Sequence, residues 1–83
     1  MSNSAKSEHS KLLPSILTSL RTDLGLRQID LAEQLGRPQS FVSKYESGER
    51  RLDLLEINEI CIALHVSLSE VVARVEGELN EAK

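Results

Sequence analysis

An all-α fold is predicted by three features of this 83-residue chain. Apolar residues recur at intervals of three and four in five separate segments, glycines or helix-capping residues stand between the segments, and no stretch reads as a strand. With 40% hydrophobic residues but one phenylalanine, one tyrosine and no tryptophan, the chain can build one small aliphatic core. A compact, single five-helix domain is therefore expected.

Residues 1–10, MSNSAKSEHS, are rich in polar residues without periodicity and read as a mobile N-terminal arm, with the domain occupying residues 11–83. The first helix is predicted over about 11–24, where Leu13, Ile16, Leu17, Leu20 and Leu24 share a face. Pro14 falls in its first turn, where a missing N–H costs little, and Gly25 is the expected left-handed terminator. A second helix, about 28–35, sets Ile29, Ala32 and Leu35 on one face with Leu31 alongside, and ends at Gly36. Only Gly36, Arg37 and Pro38 separate it from a third, about 38–46, with proline at the first helical position. Gly48 allows a sharp exit.

Two capping boxes mark the remaining starts. In DLLE and SLSE a capping side chain precedes a glutamate by three residues, so Asp53 and Ser67 should open helices over about 53–65 and 68–80. The fourth helix is expected to bury Leu54, Ile57, Cys61 and Leu64, widened by Leu55, Ile60 and Ile62. The fifth is expected to bury Leu68, Val71, Val72, Val75 and Leu79.

Several function classes are disfavoured by what the chain contains. There is no run of 18 apolar residues, and the first ten residues lack the apolar stretch of an export signal, so no membrane role and a cytoplasmic, nucleoid-associated location are expected. Cys61 and His65 lie four apart on one helix, but two ligands without further donors make a poor metal site. A buried cysteine and a histidine near a helix C-terminus account for them. No phosphate-binding glycine loop, nucleophile elbow or paired-acid site is visible, so neither enzyme activity, a cofactor nor a small-molecule ligand is expected.

The net charge of −3 hides an uneven distribution. Residues 1–36 hold four basic and four acidic groups, residues 37–51 four and two, and residues 52–83 two and seven. Because salt screens charge over about 10 Å, a basic middle can meet an anion while the acidic end faces away.

The middle segment, GRPQSFVSKYESGERR, carries the chemistry. Pro38, Phe41, Val42 and Tyr45 follow the i, i+3, i+4, i+7 rule and should point inward, leaving Gln39, Ser40, Ser43 and Lys44 outside. Gln39 can pair bidentately with adenine, Ser40 can meet several base edges and Lys44 can donate to guanine. Two short helices joined by a glycine-containing turn, with basic flanks, form a geometry for placing the second helix in the major groove.

The stretch QIDLAEQLGRPQSFVSKYESGERRLD resembles the helix-turn-helix of the phage repressor and Cro family, also called Xre-type, over about Leu12 to Val75. The resemblance implies a lambda-repressor-like domain that regulates transcription by binding double-stranded DNA. It implies that Gln39, Ser40 and Lys44 read bases, that Ser43 meets a phosphate or base edge, and that Gln28 touches phosphate and braces Gln39. Arg37, Arg50 and Arg51 would hold phosphates, which position the helix without carrying sequence information. Arg21 and Glu46 would form an ion pair between the first and third helices.

Two positions depart from the family pattern. Arg27 stands where relatives carry a capping Ser or Thr; since it cannot accept that bond, a water or backbone group must serve, or the arginine meets phosphate. Pro38 replaces a small polar residue.

A homodimer is expected, because the fifth helix has more valine and leucine than a small monomer buries and one module makes few contacts. Its surface is assigned to Leu64, Leu68, Val71, Val72, Val75 and Leu79, with the fourth helix able to share in it. Two copies would hold their third helices about 34 Å apart on a palindrome-like operator. The rival reading is an antitoxin or interaction module that holds another protein through the acidic C-terminal half.

Overall fold

A computed structural model describes residues 9–81. Five helices follow one another: α1, Leu12–Asp23; α2, Gln28–Leu35; α3, Gln39–Ser47; α4, Leu54–Ala63; and α5, Leu68–Glu81. There is no strand among the described residues. Most of the expected arm, residues 1–8, lies outside them; His9 and Ser10 are helical and lead into α1.

Helix ends lie where local chemistry places them. Gly25, Gly36 and Gly48 have φ of 72°, 67° and 89°, the left-handed conformation that lets the last carbonyls of α1, α2 and α3 be satisfied. Asp53 accepts from the Glu56 N–H at 2.8 Å while Glu56 accepts from the Asp53 N–H at 3.0 Å. Ser67 and Glu70 repeat the exchange, at 3.0 Å in each direction. Each box satisfies two donors that the helix cannot bond internally.

α3 packs against both α2 and α1, α4 against α2, and α5 closes the other side on α1 and α4. The core gathers Ile16 and Leu17, Leu31 and Ala32, Phe41, Val42 and Tyr45, Ile60, Cys61 and Leu64, and Val71. Burying these aliphatic groups supplies the main force holding the short helices, which would be marginal alone.

Four expectations about faces need correction. Pro38 is exposed and caps α3 from outside with ψ of 155°, so it never joins the helical wheel that seats Phe41, Val42 and Tyr45. Leu24 has left α1 as its C-cap and is 49% exposed. On α4, Leu54, Leu55 and Ile62 are 62%, 75% and 66% exposed, because a helix apolar nearly all round has neighbours on only part of its circumference. Finally, Leu64 and Val71 are 1% and 2% exposed, so they fill this chain's own core and leave almost no area for a second copy.

Candidate nucleic-acid interface

α2 and α3 meet through a turn of three residues. Gly36 donates to the carbonyl of Glu33 at 3.1 Å and Arg37 to that of Ala32 at 3.0 Å, closing α2 and turning the chain sharply into Pro38. α3 then divides by face. Phe41, Val42 and Tyr45 are buried, whereas Gln39, Ser40, Ser43 and Lys44 are all exposed in one outward row.

A chain of side chains links that row to α1. Gln39 Nε2 donates to Gln28 Oε1 at 3.3 Å, and Gln28 Nε2 donates to Glu46 Oε1 at 3.0 Å. Glu46 in turn accepts from Arg21 Nε at 2.7 Å and Nη2 at 3.0 Å, while Arg21 Nη1 donates to the Leu26 carbonyl at 2.6 Å. The bond to Gln28 uses one N–H of Gln39, leaving its Oε1 and second N–H for the donor and acceptor of an adenine edge. Glu46 raises the Arg21 pKa through hydrogen bonding, against the opposing effect of burial. The two charged side chains are only 11% and 7% exposed, so they desolvate together and are compensated together.

The five cationic or amide groups assigned to phosphate are not equivalent. Arg27, at the α2 N-cap, binds the Asp30 carboxylate through Nε at 3.0 Å and Nη2 at 2.9 Å. Asp30 also accepts the Arg27 backbone N–H at 2.8 Å, the carboxylate half of a capping box, while the Arg27 side chain makes no capping bond in return. Those bonds from Arg27 hold the Asp30 carboxyl at about 2, below its ordinary 3.8. Arg50 donates to both oxygens of Glu56, at 3.0 and 2.8 Å, and its pKa is raised by that pairing. Arg37 lies 3.7 Å from Glu56 and 3.6 Å from Glu59. Arg51 is exposed and, like Lys44, has no ion-pair partner among the described residues. Gln28 is half-buried in the chain described above.

Glu56 was visible in the sequence only as a capping residue, yet it also gathers Arg37 and Arg50. Its carboxyl is held at about 2 from an ordinary 4.5, first by the Arg50 hydrogen bonds and then by the Asp53 N–H. Both guanidiniums lie over the Phe41 ring, at 4.4 and 4.8 Å from its centroid. Tyr45 holds a second feature that a helical wheel does not reveal. Its ring meets Phe41 edge-on at 5.5 Å, and its hydroxyl is buried without a hydrogen-bond partner among the described residues. Burial, reinforced by the Glu46 charge, pushes its pKa up.

With this geometry in view, the comparisons with known proteins are specific. The family model described as Helix-turn-helix matches residues 17–71, from the middle of α1 into α5. An XRE-family like protein from Pseudomonas syringae pv. tomato is 34% identical, with 93% of this chain and 94% of that one covered and a TM-score of 0.83. The restriction-modification controller protein C.AhdI from Aeromonas hydrophila is 32% identical over 75% of this chain and 94% of its own, with a TM-score of 0.70. The clp gene regulator ClgR from C. glutamicum is 26% identical over 83% and 88%, with a TM-score of 0.75. No curated protein sequence matches the chain. The buried face and turn geometry of α2 and α3, the family match and the similarity to the Pseudomonas protein together establish that this chain belongs to the Xre-type helix-turn-helix family of DNA-binding transcription regulators.

Proposed function

We propose that the protein is a sequence-specific regulator that binds an operator in double-stranded DNA as a homodimer, with α3 in the major groove. The observation that carries this reading is the outward row of α3. Gln39, Ser40, Ser43 and Lys44 stand exposed on a helix whose opposite row is buried, so the helix is rigidly seated while its polar edge is open. Arg21 and Gln28 brace its eighth residue, Glu46, and Gln28 also holds its first, Gln39. Rigid presentation of short polar groups is what direct readout of base edges requires.

Dimerisation is supported by aliphatic side chains outside the core. Leu54 and Val72 border an apolar groove with Leu13, Ile57, Leu68 and Val75, and Leu55 extends the same end of α4. This groove includes Leu68, Val71, Val72 and Val75 of the surface assigned from sequence, with Val71 as its nearly buried floor, and takes in Leu54 but neither Leu64 nor Leu79. The controller and regulator roles carried in the names of C.AhdI and ClgR agree with an operator-binding function.

The reading is tested by selecting bound duplexes from a random pool and titrating the winner against salt. Affinity should fall with a log-log slope of about −0.9 per phosphate contact, and the selected site should contain two related half-sites about one helical turn apart. Failure to enrich any duplex would favour a protein partner instead. Sedimentation should show a dimer that Val72→Glu converts to a folded monomer; a wild-type monomer at micromolar concentration would remove the dimer from the reading.

A further inference from the structure

The turn before α3 and the loop after it each place an arginine over the Phe41 ring, and α4 supplies carboxylates to both. The two arginines are held very differently. Arg50 makes two hydrogen bonds to Glu56 and a third to the Arg51 carbonyl at 3.0 Å, so its donors are largely engaged. Arg37 has only long contacts, 3.7 Å to Glu56 and 3.6 Å to Glu59, beyond ordinary hydrogen-bond length. Its side chain is 33% exposed and that of Glu59 55% exposed. Arg50 is thus a fixed part of the scaffold, while Arg37 is a guanidinium supported on an aromatic face with a weakly bound anion beside it.

Resting on the DNA-binding reading above, we propose that Glu59 competes with DNA phosphate for Arg37 and so suppresses sequence-independent DNA binding. Binding without sequence preference comes almost entirely from neutralising phosphates and releasing their counterions. A cation that must leave a carboxylate to reach a phosphate exchanges one anion for another and gains little. At an operator, base contacts from Gln39, Ser40 and Lys44 add to the phosphate term, whereas elsewhere they do not. Lowering the phosphate term reduces both affinities by the same factor, but an operator that its base contacts keep saturated stays occupied while sites held by phosphates alone are released. Phe41 keeps the Arg37 guanidinium against the edge of α3 with either anion.

The test compares the wild type, Glu59→Gln, Glu78→Gln and the double variant Glu59→Gln/Arg37→Gln on a duplex of mixed sequence. Glu78 is an exposed residue near the end of α5, and its substitution changes the net charge equally. Glu59→Gln should bind several-fold more tightly than Glu78→Gln at low salt, with a slope steeper by up to about 0.9. Its advantage should shrink about 3.5-fold from roughly 50 to 200 mM salt. Adding Arg37→Gln should abolish the gain. Equal binding by the two single variants, or a gain that survives in the double variant, overturns the proposal while leaving operator binding intact. If the wild type binds neither this duplex nor any selected one, the DNA-binding reading falls and this inference with it.

Discussion

Arg21 brings a full charge into a nearly dry position, where both oxygens of Glu46 and the carbonyl of Leu26 receive its donors. Removing one partner of such a pair leaves the other charge stranded, a loss of about 3 to 5 kcal/mol. Arg21→Ala is therefore expected to lower the thermal midpoint by more than about 10 °C, since about 1 kcal/mol moves a domain of this size by about 4 to 8 °C. An unchanged midpoint by circular dichroism would show that the pair is not a structural tie. Tyr45 poses the opposite case: its hydroxyl sits buried with no hydrogen-bond partner among the described residues. Leaving a polar group unsatisfied costs about 1 to 3 kcal/mol, so Tyr45→Phe should raise the urea midpoint with an unchanged m-value. A lower midpoint would mean that the hydroxyl finds a partner in solution. These two residues also show how far the sequence could be read at this scale. The pairing of Arg21 with Glu46 joins residues 25 positions apart and was readable only through the family resemblance. Periodicity puts Tyr45 on the inner face but says nothing about what meets its oxygen.

At the scale of elements, starts were more legible than faces. Asp53 with Glu56 and Ser67 with Glu70 announce α4 and α5 because a capping box is written in four consecutive residues. The end of α4 is different. His65 takes φ of 61°, and Val66 donates back to the Cys61 carbonyl at 3.0 Å, so the helix stops at Ala63 without any glycine to signal it. The buried face of α4 was equally obscured, because apolar residues surround that helix and only packing against α2 and α5 selects Ile60, Cys61 and Leu64. The same caps make the fold acid-sensitive. Asp30 and Glu56 titrate at about 2 when folded, below ordinary values of 3.8 and 4.5, through bonds to Arg27 and Arg50 respectively. The unfolded chain takes up these protons first, so this stabilisation is complete above the ordinary values and is lost as pH falls towards 2. Urea midpoints should decline from about pH 5 to about pH 2.5, and Glu56→Gln should flatten the decline while retaining a capping acceptor. Identical pH profiles for the variant and the wild type would contradict the role given to Glu56.

Across the whole molecule, the sequence showed a basic segment inside an acidic chain, and folding reshapes that segment. Arg37 and Arg50 lie against α4 carboxylates, Arg27 lies on Asp30, and Lys44 on α3 and Arg51 in the loop after it have no ion-pair partner among the described residues. Charge counting along the sequence could not anticipate this, because Glu56 and Glu59 belong to the acidic end and reach the basic middle only when α4 packs against α2. On the proposed reading, in which these ion pairs moderate the phosphate contacts, discrimination comes from the α3 side chains. Selection from a random duplex pool, carried out in parallel with the wild type, Gln39→Ala and Lys44→Ala, tests that directly. If α3 reads bases, each substitution relaxes preference at one or two positions of every half-site, with a loss of about 1 to 3 kcal/mol confined to those positions. If both variants instead recover the wild-type site and bind every duplex uniformly more weakly, the outward row of α3 touches only the backbone, and the sequence is read elsewhere.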